Sequence, residues 1–144
     1  MKGVVRRGDV FYADLRPTVG SEQDGVRPVL VVQNDLANRL SPTVVVCALT
    51  SQLKRPYLPT HVYLDGVGRA HGPSVALAEQ LRTLDKRRLL RRIGRLGPDT
   101  MREVDRALGY AIGLTPAQRQ APAGAPQERR LGGAKSAVER TDGR

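Results

Sequence analysis

Cysteine is nearly missing from this chain: Cys47 is the only one. A lone thiol closes no internal disulfide and offers no zinc cluster, so the sequence predicts a reduced, cytoplasmic setting. Tryptophan is absent, and Phe11, Tyr12, Tyr57, Tyr63 and Tyr110 are the whole aromatic supply, which leaves few platforms for stacking bases. No apolar run approaches the ~18 residues a membrane-crossing helix needs. The first residues, Met1-Lys2-Gly3-Val4-Val5-Arg6-Arg7, lack the apolar stretch of a signal peptide. The chain is therefore read as soluble and not secreted, with no membrane partner. No glycine motif of the P-loop or dinucleotide type is present, which argues against nucleotide-driven activity. The carboxylates Asp9, Asp14, Asp24, Asp35 and Glu79 are scattered, without the clustering that a divalent metal demands. The expectation is metal-independent chemistry with no cofactor. Only two histidines occur, His61 and His71. Neither has a carboxylate at a telling spacing, so both are read as packing and surface residues rather than as an acid–base pair.

Negative charge is also in short supply. Against 24 Lys and Arg stand 14 Asp and Glu, a formal charge of +10. Residues 117–144 hold six basic and three acidic residues, which leaves 18 against 11, or +7, for residues 1–116. The folded part is itself basic, and nucleic acid is the usual partner of such a surface. The 144 residues suit one domain. From Thr115 onward Pro116, Pro122, Pro126, paired glycines and scattered charge describe a flexible tail, so the division expected is a domain over 1–114 and a basic tail over 115–144.

Within the domain, strands come first. Gly8 to Leu15 mixes β-branched and aromatic residues before the Arg16-Pro17 break, and a loop from Arg16 to Val26 leads to a second strand, Pro28 to Gln33. Pro28 lacks a donor and suits a strand's first position. A polar connection over Asn34 to Pro42, with one helical turn, precedes a third strand, Thr43 to Leu49, apolar on both faces and hence central. Thr60 to Leu64 alternates as a half-exposed strand. Ser74 to Glu79 follows, continued after a bend by Gln80 to Leu84; a short helical turn over Asp85 to Arg88 then leads to a strand over Leu89 to Leu96. Gly97-Pro98-Asp99 opens a helix whose stripe is Met101, Val104, Leu108, Ala111 and Ile112. The fold class is mainly β with α: five to seven mostly antiparallel strands and one helix near the end.

The chain is organised around Gly20-Ser21-Glu22-Gln23-Asp24-Gly25-Val26-Arg27-Pro28 and the apolar block Val29-Leu30-Val31-Val32. A glycine-bounded loop in front of a rigid strand places Arg27 where a guanidinium is fixed yet meets a ligand, and its planar fork of donors matches phosphate oxygens in pairs. Most lone arginines merely close a strand with a surface ion pair; the flanking Gly25 and Pro28 shift that balance. Thr50 leaves the end of a buried strand, where its hydroxyl either donates to a phosphate oxygen or simply bonds backbone. Lys86-Arg87-Arg88 with Arg91, Arg92 and Arg95 is either a solvated face or an electrostatic track for a phosphate backbone.

Taken together, Arg7 to Leu15, Gly20-Ser21-Glu22-Gln23, Gly25-Val26-Arg27-Pro28, Gln33-Asn34-Asp35, Leu49-Thr50-Ser51-Gln52, Leu58-Pro59-Thr60-His61-Val62 and Glu79-Gln80-Leu81-Arg82-Thr83-Leu84-Asp85 resemble the MazF (PemK-like) toxins of bacterial toxin–antitoxin pairs, over about residues 5 to 114. The resemblance implies an SH3-like barrel, a homodimer, and a metal-independent, sequence-specific endoribonuclease that cuts single-stranded RNA, chiefly mRNA. It implies Arg27 and Thr50 as the catalytic pair, and Glu22, Gln23 and Gln80 as residues of the RNA groove. The chemistry implied is attack of a ribose 2′-hydroxyl on the adjacent phosphorus, leaving a 2′,3′-cyclic phosphate and a 5′-hydroxyl. A guanidinium is almost never neutral, so Arg27 is assigned to clamp charge and protonate the leaving oxygen, with Thr50 donating to a nonbridging oxygen; the acceptor of the 2′-proton is left unassigned. The implied partner is an antitoxin whose disordered acidic tail covers the groove. Two rivals stand beside this reading: a toxin of the CcdB type that binds DNA gyrase, and a basic nucleic-acid-binding module without catalysis.

Overall fold

The computed structural model describes residues 3–52, 58–67 and 72–116. Six strands form one sheet: β1 (Asp9–Asp14), β2 (Val26–Val31), β3 (Thr43–Thr50), β4 (His61–Leu64), β5 (Ser74–Asp85) and β6 (Leu89–Arg95). Their spatial order is β4-β5-β3-β2-β1-β6, and every neighbouring pair is antiparallel. The apolar run of Thr43 to Leu49 accordingly becomes a central strand, paired with β5 on one side and β2 on the other. Successive residues alternate between faces, and both faces of the middle strands are buried. Phe11, Ala13, Val29, Val31, Val44 and Val46 share one core with Val5, Leu15, Leu84 and Leu89. Val10, Leu30, Cys47 and Leu49 occupy the alternate positions and are fully covered. No helix among the described residues is long and apolar enough to cross a membrane.

Two helices and a turn complete the fold. The connection after β2 is a helix, α1 (Asp35–Leu40), longer than the single turn expected, because Asn34 caps it by accepting from Ala37 N at 2.9 Å. Lys86–Arg88 forms a 3₁₀ turn capped by Asp85, as its sequence predicted. Helix α2 (Pro98–Ala111) starts where proline is tolerated, in the first turn. Its buried apolar side chains are Met101, Val104 and Ala107, while Leu108 is only half-buried and Ile112 lies beyond the helix and is exposed. The expected stripe thus holds at its first two members and rotates toward Ala107, the small residue three after Val104. The sheet and α2 as far as Leu108 lie in one unit, and from Gly109 the chain belongs to a second. The expectations for His71 and for the tail beyond Pro116 lie outside the described residues.

Three differences from the sequence reading bear on the site. Strand β2 begins at Val26, so Arg27 is its second residue and Pro28 its third. Pairing with β3 begins only at Val29, so Pro28 stands one residue short of that ladder, an edge-like place for a residue with no donor. The bend expected after Glu79 is a bulge within one continuous strand. Thr43 to Cys47 pair with Asp85 back to Leu81, whereas Ala48 to Thr50 pair with Leu77 back to Val75. Ala78, Glu79 and Gln80 therefore have no partner on β3. Finally, the basic stripe serves the fold more than a solvent track. Arg92 and Arg95 both bond the buried Asp9, Arg87 bonds Asp85, Arg88 bonds the carbonyls of Asp14 and Arg16, Lys86 bonds the carbonyl of Asn38, and Arg91 lies over the Tyr12 ring.

Candidate active site

A groove of about 490 Å³ opens over the β2–β3–β5 part of the sheet. Its floor is apolar, from Val29, Val46 and Ala48 with Leu15 and Leu81, and its rim is polar, from Glu22, Gln23, Glu79, Gln80 and Arg82. The floor follows from the register: Val29 lies opposite Ala48 and Val31 opposite Val46, so all four point to one face. The rim has two sources. The loop between β1 and β2 brings Glu22 and Gln23, and the bulge of β5 brings Glu79 and Gln80. A bulge adds residues to one strand and turns their side chains away from the ladder, here into the groove.

Arg27 and Thr50 belong to the same face. From the pair Val29–Ala48, two steps back along β2 reach Arg27 and two steps forward along β3 reach Thr50, so the register extended past its last pair sets them level. Arg27 is half-buried, and its Nε donates to the Asp24 carbonyl at 2.8 Å. Its two terminal nitrogens have no hydrogen-bond partner among the described residues. A guanidinium fixed at one nitrogen, with its other two nitrogens turned outward, is suited to two oxygens of a phosphate. Thr50 is 8% exposed, and its Oγ1 accepts from Gln52 N at 3.2 Å. That leaves the hydroxyl proton available to another acceptor. Neither side chain lines the groove proper; the pair sits beyond its Val29–Ala48 floor.

The loop is secured at both ends. Arg82 Nη1 donates to the Leu15 carbonyl at 2.5 Å, and Arg88 Nη1 donates to the Asp14 carbonyl at 2.9 Å. Leu15 N donates to the Gly25 carbonyl at 3.0 Å, and Gly25 takes φ +83°, a backbone angle other residues resist. At the tip, Val19 N donates to Glu22 Oε1 at 2.9 Å. Glu22 is thus partly committed to shaping its own loop. Beside the loop, Arg16 bonds both oxygens of Asp14, and chiefly that bond holds the Asp14 carboxyl down to about 2.

Two features escaped the sequence. Arg82 stands out in the sequence only as part of a motif, yet it clamps the base of the loop from a strand 67 residues away. His61 does have a carboxylate partner: its Nε2 lies 3.1 Å from Glu79 Oε2, across the β4–β5 pairing. The available signal was the alternation of Thr60 to Leu64, which marks a strand in need of a neighbour without saying which.

A family model described as PemK-like, MazF-like toxin of type II toxin-antitoxin system matches residues 6–112. The chain is 52% identical over 114 residues to the endoribonuclease EndoA of Bacillus subtilis, covering 77% of this chain and 97% of that protein. Among solved structures, MazF of Deinococcus radiodurans superposes with a TM-score of 0.66 at 31% identity, over 76% of this chain and 97% of that one. A mycobacterial endoribonuclease, solved in complex with its cognate antitoxin, gives 0.61 at 30% identity over 78% and 97%.

Proposed function

We propose, from the premise that this chain belongs to the PemK-like, MazF-like toxins of type II toxin–antitoxin systems, that Arg27 and Thr50 are the catalytic pair of its endoribonuclease activity. The chain is a toxin endoribonuclease, and the mainly antiparallel six-stranded sheet with a helix near the end is the fold of its structural relatives. Its substrate is single-stranded RNA, bound along Glu22, Gln23 and Gln80. A splayed strand lets a ribose 2′-oxygen line up with the phosphorus and the 5′-oxygen, which an A-form duplex forbids.

The 2′-oxygen forms a bond to phosphorus as the P–O5′ bond breaks, giving a 2′,3′-cyclic phosphate and a 5′-hydroxyl, and the proton that the 2′-hydroxyl sheds balances the one that O5′ gains. Arg27 holds the charge that gathers on the nonbridging oxygens and gives a proton to the departing O5′. Thr50 donates its hydroxyl proton to a nonbridging oxygen. Both are groups whose bonds strengthen as charge develops, the condition for speeding the chemical step. No part of this scheme needs a metal or a cofactor. The observation that carries it is the pair of Arg27 guanidinium nitrogens without a hydrogen-bond partner among the described residues, level with a threonine hydroxyl whose proton has no acceptor among them.

The partners follow from the family: a cognate antitoxin with an acidic tail that covers the groove, and a second copy of the toxin in a homodimer. The setting is cytoplasmic, and the division of the chain is a toxin domain over 1–114 with a basic tail over 115–144. Incubating the purified protein with a long transcript in EDTA tests the activity. Site-specific cuts with cyclic phosphate ends are expected; intact RNA with stalled gyrase would favour the CcdB-type reading, and intact RNA with retained binding a non-catalytic module. Arg27→Ala and Thr50→Ala should each lower cleavage by about a hundredfold with the melting temperature unchanged. Unaltered rates in both would remove the pair from the mechanism.

A further inference from the structure

A carboxylate is an odd component for a groove that receives a polyanion, because it repels every phosphate that comes near. Two line this one, Glu22 and Glu79. Glu22 has a local task, accepting the Val19 amide within its own loop. Glu79 has none of that kind. It stands in the middle of the three residues that β3 leaves unpaired, between Ala78, whose amide bonds the Thr60 carbonyl at 2.9 Å, and Gln80. Its Oε2 is held by His61, while its Oε1 has no hydrogen-bond partner among the described residues. The side chain is 36% exposed, so that oxygen is reachable from the groove, and the His61 bond to its partner oxygen restrains its direction.

An ionised carboxylate only accepts hydrogen bonds. In single-stranded RNA the donors open to it are the ribose 2′-hydroxyls, which carry no sequence, and on the bases the imino N–H of guanine and uracil and the exocyclic amino groups of cytosine, adenine and guanine; the amino groups stand out from the ring, where a carboxylate on the rim meets them. The neighbouring Gln80 amide, with no side-chain partner among the described residues, adds a donor and an acceptor on the same rim. We infer that Glu79 is a specificity-determining residue that accepts a hydrogen bond from the amino group of one RNA base, and that His61 is the positioning residue that aims it. The inference rests on the groove being the RNA site of the nuclease described above. His61 does more than fasten β4 to β5, since that edge is already tied by the paired backbones of His61 to Leu64 and Leu77 to Ser74. Holding one oxygen of Glu79 sets the angle of the other.

The test compares the full-length wild type with Glu79→Leu, Glu79→Gln, His61→Phe and His61→Gln. Cut sites are sequenced from a randomised RNA pool in EDTA. Competition binding uses uncleavable all-2′-O-methyl strands in which each base in turn is replaced by an analogue lacking its amino group. In the wild type, one position should lose about tenfold in cleavage and in binding when the amino group goes. Glu79→Leu should abolish that preference, and Glu79→Gln, which keeps an acceptor, should retain part of it. His61→Phe should blunt it, and His61→Gln, whose amide donates to the same oxygen, should restore it, all at unchanged melting temperature. A Glu79→Leu protein that still rejects the amino-less base as the wild type does would overturn the inference. A wild type that cuts no RNA would instead overturn the nuclease reading, and the binding competition would still decide on Glu79.

Discussion

Cys47 has no solvent contact, and burial, aided by the charge of Glu79, pushes its thiol up to about 12. Thiolate is the reactive form, so the folded protein should resist a maleimide at pH 8 and react at once in urea; rapid labelling of native protein would contradict the burial. Asp9 is the opposite case, a charge buried for use. Its Oδ2 accepts from Arg6 N and its Oδ1 from Arg92 and Arg95. Asp9→Asn leaves two guanidiniums facing a neutral amide and should cost about 3 kcal/mol in urea melts, the low end for a broken buried pair because both arginines keep nearly half their surface in water. The placement of Arg27 behind a loop and of Thr50 at the end of a buried strand was legible in the sequence because each is marked by its immediate neighbours: a glycine-bounded loop before one, a long apolar run before the other. Glu79 and His61 were not, since each becomes meaningful only through the other, 18 residues away across a strand pairing.

At the scale of elements, two partly exposed carboxylates paired with arginines, Asp85 and Asp14, add to the acid sensitivity. Arg87 bonds Asp85 at the head of the 3₁₀ turn, and chiefly that bond holds the carboxyl down to about 2; Asp14 with Arg16 behaves alike. A carboxyl lowered in the folded state adds stability above its unfolded value near 3.8 and loses it as pH falls through the folded value. Melting temperature should therefore drop between about pH 4 and 2, and the drop should shrink in Asp85→Asn; an equal drop in that variant would assign the acid sensitivity elsewhere. Asn34→Ala should cost about 1 kcal/mol by uncapping α1, with β-sheet signals unchanged. Strand order along the chain was readable from periodicity and breakers. The length of α1 and the shift of α2's buried face toward Ala107 were not, because a cap adds helix at low cost and small residues carry a weak apolar signal.

Across the molecule, the +10 charge is legible from composition, but its placement is not. Arginines that look like a track are largely spent on Asp9, Asp85 and the carbonyls around the loop, so fewer cations face RNA than the count suggests. Affinity for single-stranded RNA should still fall with salt, and the slope of log affinity against log salt should report only a few phosphate contacts, far below ten. A slope near ten would return the stripe to the binding surface. The uneven pairing of β5 has its own bearing on how such a protein is altered. Because β3 grips β5 separately above and below Ala78 to Gln80, a residue added or removed at Glu79 or Gln80 leaves both grips in step, so the rim of the groove can be rewritten while the buried Ala78 and the interior are left as they were.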